Sequence, residues 1–431
     1  MAVLAINGGQ KVRNSMFPAY RVIADEEERA AIRVLRSGIL SGYLGCWDEG
    51  FYGGSEVRAL EEEWAAHFGV KHAIAVNSAT SALYIATGAI GISPGDEVIV
   101  SPYTMSASAV GPLIYNGIPV FADIERDYFD LDPHSIEERI TSNTKAIIVV
   151  NIFGQPYDMD SINEIAQKNG LKVIEDNAQG PNAKYGDKFA GTLGDIGVFS
   201  LNYHKHIHCG EGGIAVTDSD ELAERMRLIR NHAEAVVGDK GYKDLTNMIG
   251  FNLRMTEIEA SIAREQLKKL DYLVDERVSN VNYLNSKFSN IPCLRTLPVR
   301  SGCKHVYYMH PLIYNRTAAK GVTRKRFVEA VRAELMPAEL REAEGALVSY
   351  GYVRPLYLEP IYQERIAYGK DGYPFNNSNI SYAKGICPIC EDMHFEKLIT
   401  HDYVYAGLTK NDLDDVVSAF EKVYENIDEL V

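Results

Sequence analysis

A chain of 431 residues with 46% apolar and 24% charged side chains is long enough for a large core and two domains. Its formal net charge of −15 argues against a broad nucleic-acid surface or an anionic-membrane patch. Apolar runs such as residues 146–150 are too short to cross a bilayer, and residues 1–9 lack the charged start of a secretory signal, so the expected location is the cytoplasm.

In chain order, the spacing of apolar residues predicts a first helix over 25–36, ending at Ser37-Gly38. Residues 41–55 carry Gly42, Gly45, Gly50, Gly53 and Gly54 among Tyr43, Trp47, Phe51 and Tyr52, a long loop that reads equally as a binding lid or a surface loop. A helix over 57–68 follows. Seven short apolar runs come next, at 73–76, 98–100, 120–122, 146–150, 173–174, 196–199 and 214–216, with helical patterns at 81–89, 136–140 and 159–169 between them. Alternating helices and near-continuous apolar strands imply an α/β fold with a mostly parallel sheet covered on both faces.

Helical patterns recur at 219–232 and over the long stretch 256–290. Beyond Pro292 tyrosines accumulate, among them Tyr307, Tyr308, Tyr352, Tyr357 and Tyr362, and helices are expected at 323–335 and 410–425. This region reads as a smaller C-terminal α+β domain, which divides the chain into 1–285 and 286–431. The cysteines are scattered, as suits a reducing compartment. Cys387-Pro-Ile-Cys390 has no second pair to complete a zinc site, so no metal is expected, and its proline favours an extended segment.

The chemistry concentrates around Lys205. It stands between two apolar runs, in a turn with His204, His206 and His208 that ends in Gly210-Glu-Gly-Gly213. A lysine desolvated there would capture a carbonyl, and glycines let the backbone approach a ligand. A cofactor such as pyridoxal phosphate needs, besides the lysine, a phosphate cradle, a carboxylate for its ring nitrogen and a partner for its ring hydroxyl. Asn77-Ser-Ala-Thr-Ser81 ends a strand and opens a helix, whose first amides with the hydroxyls of Ser78 and Thr80 make an anion site or simply cap the helix. Asp176 ends another strand, Gln179 lies three residues on, and Ser200 precedes Lys205 by five.

These motifs resemble the DegT/DnrJ/EryC1/StrS family of pyridoxal-phosphate sugar aminotransferases. The specific parts are Asn77-Ser-Ala-Thr-Ser-Ala-Leu83, Gly95-Asp-Glu-Val-Ile99, Ile174-Glu-Asp-Asn-Ala-Gln179, Gly191-Thr-Leu-Gly-Asp-Ile-Gly-Val-Phe-Ser200, Lys205 with Gly210-Glu-Gly-Gly213, and Gly250-Phe-Asn-Leu-Arg-Met-Thr256. The resemblance implies the type I pyridoxal-phosphate fold, with a seven-stranded sheet, and a homodimer with shared active sites. It implies that Lys205 holds the cofactor and moves the proton. Asp176 then pairs with the ring nitrogen and Gln179 with the ring hydroxyl. Ala79, Thr80 and Ser200 hold the phosphate, and Asn252 reaches the phosphate of the partner subunit.

The chain departs from the family pattern at Ala79, where a glycine is usual, and at Met105, where an aromatic usually covers the ring. It also departs at His208, where a small residue is usual. The expected activity is transfer of an amino group, from glutamate by resemblance, to a keto or aldehydo sugar in cell-surface or lipopolysaccharide sugar biosynthesis. The acceptor expected first is the carboxylated sugar 8-oxo-3,8-dideoxy-manno-octulosonate, with nucleotide-linked keto-sugars and inososes as alternatives. A protonated His208, or Arg254 or Arg354, would hold its acid group. A regulator that binds the cofactor without turnover is the alternative of another class, and Lys205, Asp176 and Gln179 together argue against it.

Overall fold

The computed structural model describes residues 3–431; Met1 and Ala2, which open the stretch read for a signal, lie outside it. Seven strands, β1 (His72–Val76), β2 (Glu97–Val100), β3 (Ile118–Phe121), β4 (Thr144–Val150), β5 (Lys172–Asp176), β6 (Ile196–Ser200) and β7 (Gly213–Thr217), form one sheet in the order β1-β7-β6-β5-β4-β2-β3. The run from β6 to β3 is parallel, and β7 is antiparallel to both β1 and β6. Every residue of β2, β3, β6 and β7 is buried, which is why these strands read as continuous apolar runs. Val98, Val100, Ile148 and Ile174 face one layer, which includes the helix Ala79–Ala89, and Ile99, Ile147, Val149 and Val173 face the other, with the helix Met159–Asn169.

Where the helices differ from expectation the cause is local. The helix Ala107–Ile114 contains Gly111 and Pro112 and buries Ser108 and Ala109, so it carries no polar–apolar period to read. The stretch 256–290 is two helices, Glu257–Leu267 and Leu270–Phe288, and 219–232 ends at Arg230 before a further helix, Ala233–Lys240. The junction is His232, at φ 52°. The loop 41–55 is anchored: Tyr43 and Phe51 are buried, and the Asn231 side-chain amide donates to the carbonyls of Leu44 (2.8 Å) and Phe51 (3.1 Å).

A four-stranded antiparallel sheet, Leu294–Thr296, His310–Tyr314, Leu398–His401 and Val348–Tyr350 in spatial order, forms the second layer system. The helices Arg324–Glu334 and Lys410–Glu425 share its core through Phe327, Val331, Val416 and Phe420, joined by Leu4 and Phe17 from the N-terminal segment. The helix Leu270–Phe288 belongs to both halves: Leu270, Leu273 and Val274 pack with the large sheet's side, Val281, Leu284 and Phe288 with the small one. Tyr357, Tyr362 and Tyr382 return to surround Phe121 on β3.

The segment at Cys387 is not the extended one that its proline implies. Pro388 opens the helix Pro388–Asp392, a position whose missing N–H costs a helix nothing, and the amides of Ile389 and Cys390 donate to Asp123. Among the described residues no helix is long and apolar enough to cross a membrane.

Candidate active site

The strand register gathers the anion cradle. Gly213 pairs with Val76 at the end of β1 and with Ser200 at the end of β6, so both strand ends meet where the helix Ala79–Ala89 begins. Ser78 is the cap, its hydroxyl accepting from the Ser81 amide at 3.1 Å. Ala79 and Thr80 occupy the first turn, where helix amides have no partner inside the helix. The Asn77 amide is fixed by the Leu253 carbonyl at 2.9 Å. A Cβ on Gly213 would stand 2.4 Å from the Ser78 carbonyl and 2.5 Å from the Ala79 nitrogen, so only glycine lets this corner close. A helix N-terminus flanked by the hydroxyls of Thr80 and Ser200 suits a phosphate.

Asp176, buried at the end of β5, accepts a 2.6 Å hydrogen bond from Ser108 Oγ and one of 3.2 Å from the Ala178 amide. Burial raises its pKa, while those two bonds and the Lys205 charge pull against the rise. Lys205 sits in a tight turn, its amide donating to the Asn202 carbonyl at 2.9 Å, and its ammonium lies 4.2 Å from the centre of the Tyr308 ring. Desolvation lowers its pKa to about 8, against the opposing charges of Asp176 and Asp402. Gln179 Oε1 accepts from the Phe153 amide at 2.7 Å, and its Nε2 donates to the Tyr352 hydroxyl at 2.9 Å.

The three histidines share a parity in sequence but not a direction. His206 is buried, with Nε2 2.9 Å from the Val306 carbonyl oxygen. His204 and His208 line a cavity of about 290 Å³ together with Tyr20, Arg277, Tyr308 and Arg341. Burial pushes all three rings below the ordinary imidazole value. Desolvation disfavours the cation at each ring, so the surroundings work against the protonated imidazole expected at His208. Positive charge at the cavity belongs to arginines that the sequence did not single out.

Three expected residues stand outside this cluster of contacts. Met105 is 59% exposed in the loop that follows β2, and Asn252 is exposed, its Oδ1 accepting from Arg254 Nε at 2.8 Å. Arg354 is exposed and lines neither this cavity nor the one beside it. The residues that sequence reasoning missed are Ser108, Arg277, Tyr308, Tyr352 and Asp402. Ser108 lies on the helix without a period, and the two tyrosines were visible only as composition.

The donor set fits pyridoxal phosphate. It offers a glycine-dependent amide cradle, a buried carboxylate, a desolvated amine and a fixed side-chain amide. A model of the DegT/DnrJ/EryC1/StrS aminotransferase family matches residues 46–419. The chain is 31% identical over 441 residues to the L-glutamine:2-deoxy-scyllo-inosose aminotransferase of Streptoalloteichus tenebrarius, covering 99% of each. It is 40% identical over 252 residues to the GDP-perosamine synthase of Caulobacter vibrioides, 58% of this chain and 67% of that one. An aminotransferase structure from Psychrobacter cryohalolentis superposes with a TM-score of 0.78 at 27% identity, over 96% of this chain and 100% of the other.

Proposed function

The chain belongs to the DegT/DnrJ/EryC1/StrS aminotransferase family and is a pyridoxal-phosphate-dependent aminotransferase, and from that premise we propose that it transfers an amino group from L-glutamate or L-glutamine to the carbonyl of a keto-cyclitol or keto-sugar. The observation that carries the transfer chemistry is the desolvated Lys205 beside the buried Asp176. The whole-length similarity to an inosose aminotransferase supports a polyhydroxylated ketone as acceptor. The similarity to GDP-perosamine synthase supports, as a second reading, a nucleotide-linked keto-sugar. The carboxylated octulosonate stands as a third reading, which the names of these two relatives do not support.

Bound pyridoxal phosphate supplies an electron sink for the C–H bond next to the substrate nitrogen. The chain's own part is to hold, polarise and move one proton. Ala79, Thr80 and Ser200 would hold the phosphate; Met105, exposed in this structure, would have to turn inward to cover a ring face. Asp176, kept in place by Ser108 and Ala178, would keep the ring nitrogen protonated. Gln179 meets the ring hydroxyl. Lys205 Nζ, neutral in a useful fraction near pH 8, would move the proton between the substrate carbon that bears the nitrogen and the cofactor carbon joined to it.

Two copies complete the site in this reading. The exposed apolar residues Ile39, Leu40, Leu44, Trp47 and Ile249 belong to the segments around Asn252: Asn231, which holds the Leu44 carbonyl, bridges to Asn252 itself. Covering them with a second copy would bring Asn252 to the neighbour's phosphate. The described cysteines are all free, which supports a reducing compartment such as the cytoplasm.

A panel assay tests the acceptor. Enzyme with L-glutamate or L-glutamine is offered 2-deoxy-scyllo-inosose, a nucleotide-linked 4-keto-sugar and 8-oxo-3,8-dideoxy-manno-octulosonate. The highest kcat/KM is expected for the inosose. Turnover confined to another acceptor would replace this reading.

A further inference from the structure

The carboxylates around the cavity beside Lys205 are already committed. Glu339 pairs with Arg21 at 3.5 Å, and Arg341 holds Asp402 at 3.0 Å and Glu344 at 2.6 Å. Arg277 lines the same cavity and is 4% exposed, yet among the described residues it has no carboxylate partner. Its Nη1 donates to the main-chain carbonyls of Tyr307 and Tyr308, both at 3.2 Å. Among the described residues its Nε has no hydrogen-bond partner, and neither has His208 Nδ1 on the cavity wall. Its guanidinium carbon lies 5.1 Å from the centre of the Tyr20 ring. Two carbonyl dipoles and a ring face reduce the penalty of a buried cation but do not neutralise it.

We propose that Arg277 is the binding residue for a substrate carboxylate, seated between Tyr20, Tyr308 and His208. A guanidinium with free donors suits a planar two-oxygen anion. One unpaired positive charge balances one carboxylate, whereas a phosphate dianion would leave the pocket negative. The tyrosines 20, 203, 308 and 405 that line the cavity suit the carbon skeleton or hydroxyls attached to that carboxylate. Two substrates could bring it, the amino acid donor or an acidic sugar acceptor. This inference rests on the aminotransferase reading for the identity of the ligand, not for the existence of the site.

The test uses the holoenzyme and two unreactive probes, glutarate and its neutral diamide, glutaramide, with binding measured calorimetrically at low salt. The wild type is expected to prefer glutarate by about tenfold or more, the ratio that a hydrogen-bonded charge commands. Arg277→Gln should lose that preference and Arg277→Lys should keep part of it, with cofactor absorbance and Tm unchanged in both. Two half-reactions then identify the source. A donor carboxylate raises the KM for L-glutamate about tenfold in Arg277→Gln and spares that for 2-deoxy-scyllo-inosose. An acceptor carboxylate spares L-glutamate and raises the KM for 8-oxo-3,8-dideoxy-manno-octulosonate. Equal binding of the two probes by the wild type would overturn the proposal, whether or not Arg277→Gln folds, and so would a glutarate affinity unchanged in that variant. A protein that binds glutarate through Arg277 yet transfers no amino group would instead contradict the proposed function and leave the site standing.

Discussion

Ser108 Oγ donates a 2.6 Å hydrogen bond to Asp176 Oδ2, tying a helix that covers the sheet to the carboxylate at the end of β5. Both groups are buried, so no water replaces the bond if it is removed. Ser108→Ala should lower kcat by about tenfold, roughly 1.4 kcal/mol of barrier, and leave cofactor binding nearly intact. Steady-state rates beside the cofactor absorbance check this. An unchanged kcat would mean that Asp176 is held well enough without the hydroxyl.

Asp176→Asn removes the charge and keeps the shape. A ring nitrogen facing an amide has little reason to stay protonated. Turnover should fall by at least about a hundredfold, while the affinity for pyridoxal phosphate changes much less. A fall of less than about tenfold would remove Asp176 from the role given to it.

The lowered pKa of Lys205 has a readable sign. With a pKa of about 8, roughly a tenth of the amines are neutral at pH 7, against about one in three thousand for an ordinary lysine. The rate at which the cofactor-free enzyme captures pyridoxal phosphate should rise with pH and level off just above 8. A rate still climbing steeply at pH 10 would show an unperturbed lysine.

Gly213→Ala addresses the cradle. The added methyl would collide with the backbone of Ser78 and Ala79, at contacts of 2.4 to 2.5 Å that no side-chain rotation relieves. Since the helix start must shift, the Kd for pyridoxal phosphate should rise at least about tenfold. Retention of wild-type affinity would place the phosphate elsewhere.

Much of this arrangement was legible in the sequence because it sits at strand ends. Runs such as 98–100 and 196–199 announce strands, and Asp176 and Ser200 are simply the polar residues that close such runs. The helix carrying Ser108 was not legible, since its buried face consists of small residues, glycine and proline with no period. Nor was the fate of the histidines. Their spacing is even, but the turn at Lys205 sends His206 into the interior and leaves His204 and His208 on the cavity wall. In the sequence Arg277 is one more charge on a helix, and only the tertiary structure reveals that it is buried without a counter-ion among the described residues.

The proposed dimer with shared sites is open to complementation. Lys205→Ala and Asn252→Ala should each be inactive alone, because one loses its amine and the other its contact to the partner's phosphate. Mixed and allowed to exchange subunits, they should recover up to about a quarter of wild-type activity, from the heterodimer sites that carry neither defect. Exchange demonstrated by mass without any recovery would argue that each chain builds its site alone.

The central claim is that Lys205 is the residue that holds the cofactor. Incubation with pyridoxal phosphate, reduction with borohydride and mass mapping of the peptides reads it directly. The account predicts one pyridoxyl group per chain, on Lys205, and none in Lys205→Ala. A label on another lysine, or labelling that persists in that variant, would contradict it.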